Sequence, residues 1–287
     1  MKRLLSALAC LALLAGAAAA QSQLQAPKSV TANTELTVST SGSGDATLYL
    51  VGPASFSKRS VKLGEPIRIA PEELHAAGAW LMVVKSGSGT ESASFDVLPA
   101  EPGKLSFVVR PSRLPVAVHS GISGVAYLLD NYNNLVTAPQ DVAFRLSVED
   151  GPTAQQNVKS KDGIAWTQLD SGSKAGAAHL VANVGDISAE RVVQQVASAA
   201  CNLHIAAKPG DAGKILVATD PVRDCTGNAV PDGTVVTFTS TANGAVTTVD
   251  APIKKGVAQA ELPARPGAVI SAASGVIMGN ELRWGAR

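Results

Sequence analysis

From about Ser29 onward the apolar residues fall in short runs that alternate with polar ones, and clusters of Gly, Pro, Ser, Asn and Asp break the runs roughly every 8 to 12 residues. Strands buried on one face and joined by turns produce this pattern. In the first third it predicts five strands, at Glu35–Ser39, Ala46–Val51, Pro66–Ala70, Ala79–Val84 and Ser92–Val97. The stretch Pro71–Gly78 is different. It opens on Pro, carries Glu72 and Glu73 in its first turn and stops at Gly, which predicts one short helical turn.

The remaining two thirds align with themselves at an offset of about 95 residues, the size of a domain and too long for a solenoid unit. Lys104–Pro111 matches Asn202–Pro209, Asp130–Phe144 matches Asp224–Phe238, and Asp162–Trp166 matches Lys255–Gln259. The alternation within each copy predicts a β-sandwich, with Phe144 and Phe238 as equivalent core residues of a central strand. The segments Leu98–Gly103 and Gln195–Cys201 punctuate the boundaries, giving expected domains at 27–98, 99–197 and 198–287. Both linkers are short, which predicts an extended rod with limited bending.

The N-terminus breaks the pattern. Met1-Lys2-Arg3 precedes an uncharged run from Leu4 to Ala20 and then the polar Gln21-Ser22-Gln23, as in a secretory signal peptide cleaved after Ala20. An uncleaved anchor, or a lipoprotein modified at Cys10, is the alternative. No other segment is long and apolar enough to span, so no membrane insertion is expected of the mature chain. Cleavage leaves Cys201 and Cys225 as a pair in an oxidising compartment. The hairpin expected from strands at 203–208 and 214–219 returns the chain toward position 201, which predicts a disulfide across the strand ends. The other reading of two cysteines, a half-built metal site, finds no nearby ligands.

Composition agrees with a turn-rich all-β chain: 26 Gly and 16 Pro, with only 4% aromatic residues. Lys and Arg number 24 against 23 Asp and Glu, with no block of one sign, so no nucleic-acid partner is expected and nothing steers the chain toward anionic lipid.

The third copy can be matched to a known pattern. Gly227-Asn228-Ala229-Val230-Pro231-Asp232-Gly233-Thr234-Val235-Val236-Thr237-Phe238, followed by Gly256-Val257-Ala258-Gln259-Ala260, resembles the bacterial immunoglobulin-like domain of the invasin and intimin type. Its consensus carries an Asp-x-x-Gly-Asn turn, a Val-Pro kink, a Val-x-Phe strand and a later Asp-Gly-x-Ala strand. The resemblance covers about 90 residues well, the second copy less well and the first third weakly. It implies an all-β fold of three tandem immunoglobulin-like β-sandwiches after the signal peptide. Family members of this kind are usually stacked modules of surface adhesins. This chain carries no outer-membrane barrel or sorting motif, which favours release into the periplasm or medium. The second copy departs from the motif, with Asn133 in place of Gly227 and Gln140-Asp141 in place of Gly233-Thr234, so its turns are expected to differ in geometry.

Candidate chemistry is sparse. His75, His119, His179 and His204 are far apart in sequence and show no metal-ligand spacing, so neither a metal nor a cofactor is expected. Gly121-Ile122-Ser123-Gly124 is an incomplete nucleophile elbow, and Ser123 reads as an ordinary strand or turn residue. The polar cluster Asp130, Asn131, Asn133 and Asn134, with its copy at Asp224 and Asn228, offers oxygen ligands that could hold calcium. Capping of the turn is the preferred reading. Trp80 alternates with Met82 and Val84 and belongs in a core, while Trp166, replaced by Gln259 in the aligned copy, is the candidate contact residue. The expectation is a non-enzymatic, exported, periplasmic or extracellular protein that binds a protein or envelope polymer. The alternative is a structural spacer or assembly subunit of a surface machine.

Overall fold

The computed structural model describes residues Leu24–Glu149, Gly151 and Thr153–Gly285, so the expected signal peptide lies outside the described residues. These residues fall into two compact units. One holds the chain up to Lys104 together with Leu128–Thr137, and the other holds Leu105–Tyr127 and everything from Ala138 onward. Among the described residues, helix is confined to a 3-10 turn at Pro71–Glu73, where the sequence predicts a helical turn. No helix among them is long and apolar enough to cross a membrane.

The first unit contains β1 (Ser29–Thr31), β2 (Leu36–Val38), β3 (Gly44–Val51), β4 (Phe56–Leu63), β5 (Ile67–Ile69), β6 (Gly78–Ser86) and β7 (Gly89–Leu98). They form one sheet in the order β1-β7-β6-β3-β4 and a smaller one from β2 and β5. Five of these strands are the five predicted. Alternate residues point inward, so Leu48, Leu50, Trp80, Met82 and Phe95 are buried together. Trp80 stacks on Phe95 with ring centroids 6.3 Å apart and donates its indole N–H to the Ala76 carbonyl. A Cβ on Gly52 would lie 2.4 Å from the Trp80 ring, so this position has room only for glycine. Glu73 closes the 3-10 turn by accepting from the Ala70 N–H and pairs with Arg59 at 2.7 Å. β1 runs parallel to β7, held at its ends by Asp96 N–H to Lys28 O and Ala32 N–H to Leu98 O.

The chain continues through β8 (Lys104–Arg110), β9 (Arg113–Pro115), β10 (Ile122–Leu129), β11 (Asp141–Val148), β12 (Ala154–Lys159), β13 (Ile164–Leu169), β14 (Gly176–Val184) and β15 (Ile187–Val196). Here the sheets are β13-β10-β8 and β12-β11-β14-β15-β9. As with β1 and β7, the short strand β9 pairs parallel to the last strand, β15. Phe144 lies on β11 between β12 and β14, opposite Ala182. It is fully buried, 5.9 Å from the Phe107 ring.

The last strands are β16 (Ala200–Asn202), β17 (Ile205–Pro209), β18 (Lys214–Thr219), β19 (Arg223–Asp224), β20 (Val235–Ala242), β21 (Ala245–Pro252), β22 (Gln259–Pro263), β23 (Val269–Ser274), β24 (Ile277–Met278) and β25 (Leu282–Arg283). They make the pair β16-β19, the sheet β17-β18-β22 and the sheet β21-β20-β23-β24, with β25 also on β23. Phe238 lies on β20 between β21 and β23, opposite Ala272, and is fully buried. The two phenylalanines therefore occupy the same place in the two copies. The large ring opposite a small alanine fills the space between the sheets.

Candidate functional site

Two loops and one sheet face gather the residues singled out in the sequence. The first loop follows β10, within the first unit. Asp130 N–H bonds the Asn134 carbonyl at 2.9 Å and Asn133 N–H bonds the Asp130 carbonyl at 3.2 Å, with Asn133 at φ 68°. This is a tight turn closed by one left-handed residue, a position that asparagine tolerates better than other residues with a side chain. In the second unit, Asp224 N–H bonds the Asn228 carbonyl at 2.9 Å, Gly227 N–H bonds the Asp224 carbonyl at 3.1 Å, and Gly227 stands at φ 90°. The expected difference in geometry is therefore absent at this turn, because Asn133 takes up the left-handed conformation that Gly227 supplies. It is present at the next one. Gly233 has φ 91°, whereas Gln140 has no positive φ and its N–H is held at 2.9 Å by the Ser160 hydroxyl.

The aspartate of each loop is buried and filled with donors. Asp130 Oδ1 accepts from the Tyr132 and Asn134 N–H groups, both at 2.9 Å. Its Oδ2 accepts from the Ala100 N–H at 3.0 Å and the Asn134 carboxamide at 2.8 Å. Asp224 repeats this with Thr226 N–H and Asn228 N–H on Oδ1, and with Ser198 N–H and the Asn228 carboxamide on Oδ2. Burial raises both carboxyl pKa values, but the donors outweigh it, those of the asparagine side chains first, and lower Asp130 below the usual carboxylate range and Asp224 to about 2. A carboxylate has about four lone-pair directions, and the four donors on Asp130 and the five on Asp224, which include the Thr226 hydroxyl at 2.8 Å, use them. What remains for a cation is small, and no group of three or more His, Cys, Asp or Glu residues suited to a metal occurs among the described residues.

The asparagine that ends each loop reaches further. In the first unit Asn134 donates to the His75 carbonyl at 2.7 Å and accepts from the Ala77 N–H at 2.8 Å. In the second unit Asn228 donates to the Ser173 carbonyl at 2.8 Å and accepts from the Ala175 N–H at 2.9 Å. Asn131 and Asn133 play a smaller part, receiving Lys104 Nζ on a carbonyl and a carboxamide oxygen at 3.1 Å each. Cys225 follows Asp224 directly and is disulfide-bonded to Cys201 of β16, as its sequence position predicts. This ties the strand entering the third copy to its Asp–Asn loop.

The sheet face belongs to β13-β10-β8. Phe107, Gly124, Ala126, Ala165 and Thr167 point inward, so Val108, Val125, Tyr127, Ile164 and Trp166 point outward. Trp166 is 61% exposed, Val108 45%, Tyr127 38% and Ile164 36%. Trp166 lies opposite Val125 and Ile164 opposite Tyr127, so these four apolar side chains are contiguous. The other copy is an internal control: there Gln259 lies opposite Ala218, and Lys214 pairs with Glu261 at 2.7 Å on the same three-stranded sheet. Trp80, by contrast, is core, and Trp284 is packed against the core of the third copy. His119 and His179 make exposed pairs with Asp170 and Glu190, and Ser123 is a half-exposed residue of β10.

These features define an all-β protein of immunoglobulin-like sandwiches with a repeated Asp–Asn loop, the class its sequence motifs predict. The structure is similar to that of invasin, a bacterial integrin-binding protein, with a TM-score of 0.51 and 14% identity over 89% of this chain and 58% of that one. It is also similar to FdeC, an Escherichia coli adhesin, with a TM-score of 0.60 and 13% identity over 92% of this chain and 99% of that one. The chain thus spans less than two thirds of the invasin structure. At such identities the likeness is one of fold. No protein-family model matches the chain, and no curated protein matches it either.

Proposed function

We propose that this chain is a non-enzymatic, exported binding protein of the cell envelope, made of modules at 27–98, 99–197 and 198–287, which meets a protein or envelope polymer through the Trp166 face. The observation that carries this reading is the contiguous apolar surface of Val125, Tyr127, Ile164 and Trp166, with Val108 exposed on the neighbouring strand β8. Exposed aromatic-centred patches are uncommon on soluble surfaces that bind nothing, and aromatics dominate binding energy where they are found. The same face in the other copy mixes Lys214, Gln259 and Glu261 with Ala206, Leu216 and Ala218 and carries no aromatic residue, so the fold does not require the aromatic patch. Export is supported by the N-terminal pattern and by the Cys201–Cys225 disulfide. The near-balanced charge fits contact made by apolar burial rather than long-range attraction.

The test is crosslinking of the tagged chain in its native host beside a Trp166→Gln variant, which copies the residue of the other repeat. A saturable protein or glycan recovered with the parent chain and lost with the variant supports the reading. Recovery of self-crosslinked chains alone, equal for both, favours a spacer or assembly subunit instead. The hydrogen-bonded Asp–Asn loops are the observation that speaks for that second reading.

A further inference from the structure

The two asparagine contacts are the same contact made twice. Asn134 and Asn228 each place a carboxamide against a backbone carbonyl of residue n and a backbone N–H of residue n+2, with n being His75 in one case and Ser173 in the other. In both cases residue n+3 is the glycine that opens a central strand, Gly78 of β6 or Gly176 of β14. In both, the neighbouring aspartate also holds an N–H of the linker, Ala100 or Ser198. Each contact lies within one compact unit.

We infer that the Asp–x3–Asn loop is a docking tongue. It registers a module against the strand-opening turn of the module before it, and the socket is specified by backbone alone: one carbonyl, then one N–H two residues on. A carboxamide carries its donor and its acceptor on separate atoms, so it can donate to the first while accepting from the second. The aspartate sets the angle of the tongue by binding both the asparagine and the linker. The socket tolerates any residue at its donor position except proline, which has no N–H. In the third copy, matching Ala272 opposite Phe238 with Ala182 opposite Phe144 puts Pro263 and Arg265 at the socket's carbonyl and N–H positions, and these two groups bond each other at 3.0 Å instead. A socket is therefore present in the first and second copies and absent from the third, while a tongue is present in the second and third. The inference uses the module boundaries proposed above but does not depend on what the Trp166 face binds.

The experiment measures whether residues 141–195 and 205–283 of the full chain tumble together, by nitrogen relaxation of the labelled protein. The variants are Asn228→Ala, Ala175→Pro and the two combined. The parent chain is expected to show one shared correlation time. Each single variant should split it into two and should release the Lys174 amide from rigid order to an order parameter below about 0.6. The double variant should go no further than either single one, because both remove the same contact. If Ala175→Pro does not fold, Asn228→Ala decides alone. A shared correlation time that survives in Asn228→Ala overturns the proposal, as does an additive double variant. Neither result bears on partner capture by Trp166, so the two readings fail separately.

Discussion

Gly103 and Asn131 occupy in one repeat the places that Cys201 and Cys225 occupy in the other, and they are close enough that a Cβ built on Gly103 would lie 2.2 Å from Asn131 Oδ1. The strand approach that carries a disulfide in one copy is thus kept in the other without the bond. The atom in the way is the end of a flexible side chain, so replacing both residues removes the clash. The double variant Gly103→Cys, Asn131→Cys is expected to close a second disulfide when the protein matures in an oxidising compartment. The gain is about 3 kcal/mol on the chain-entropy model. Mass spectrometry under non-reducing conditions should find no free thiol, and two free thiols would sink the idea.

Reduction of the native bond should act in the opposite sense. Cys201→Ser with Cys225→Ser, or a reductant, is expected to cost roughly 2–4 kcal/mol, read as a lower midpoint of unfolding. An unchanged midpoint would mean that the hydrogen bonds of Asp224 hold the strand entering the copy without help.

Asp224 makes stability depend on pH in a defined window. Its carboxyl is near 3.8 when unfolded and about 2 when folded, so the folded state favours the charged form. That contribution, on the order of 2 kcal/mol, is complete above about pH 4 and is lost as the pH falls through about 2. Asp130 shifts in the same direction. Denaturant unfolding at pH 5, 3 and 2 should show the decline, and Asp224→Asn should flatten its share. An equally steep decline in Asp224→Asn would assign the effect to other carboxylates.

Calcium and its chelators should leave the melting temperature unchanged, because the oxygens of Asp130 and Asp224 are already taken by backbone and carboxamide donors. A rise in melting temperature with added calcium, reversed by chelation, would contradict this assignment of the lone pairs.

Surface and core aromatics should separate cleanly. Trp166→Gln is expected to change stability by less than about 0.5 kcal/mol, whereas Phe144→Ala or Phe238→Ala should cost about 3–5 kcal/mol. Matched denaturation curves check this, and a large loss in Trp166→Gln would show that the ring is built into the packing.

Much of the fold is legible in the sequence because its strands are half-buried and alternate. β4, with the sequence FSKRSVKL, escapes because it has no apolar alternation. It is an edge strand with few buried positions, so its pairing with β3 comes from its neighbour rather than from its own pattern. The left-handed turn at Asn133 is hidden because the motif places glycine where asparagine suffices. The reach of Asn134 and Asn228 leaves no trace at all, since their partners are backbone groups and almost any side chain can stand at the receiving positions. The Trp166 patch is only half visible. The substitution by Gln259 flags an exposed site, but it takes the strand register to bring Val125, Tyr127 and Ile164 beside it.

The parallel pairing of β1 with β7, and of β9 with β15, bears on how the chain carries tension. Because the two partners run in the same direction, a pull on the chain before β1 and after β7 slides one strand along the other. The bonds that join them, Asp96 N–H to Lys28 O and Ala32 N–H to Leu98 O among them, are then strained side by side and must give way together. Gln194 N–H to Ser112 O and Val116 N–H to Val196 O stand in the same relation in the second copy. Strands joined as a hairpin and pulled at its open end would instead unzip, losing their bonds in succession. A protein tethered at one end and gripped at the other is thus fastened in shear, with its resistance set by the rate at which a whole row of bonds breaks.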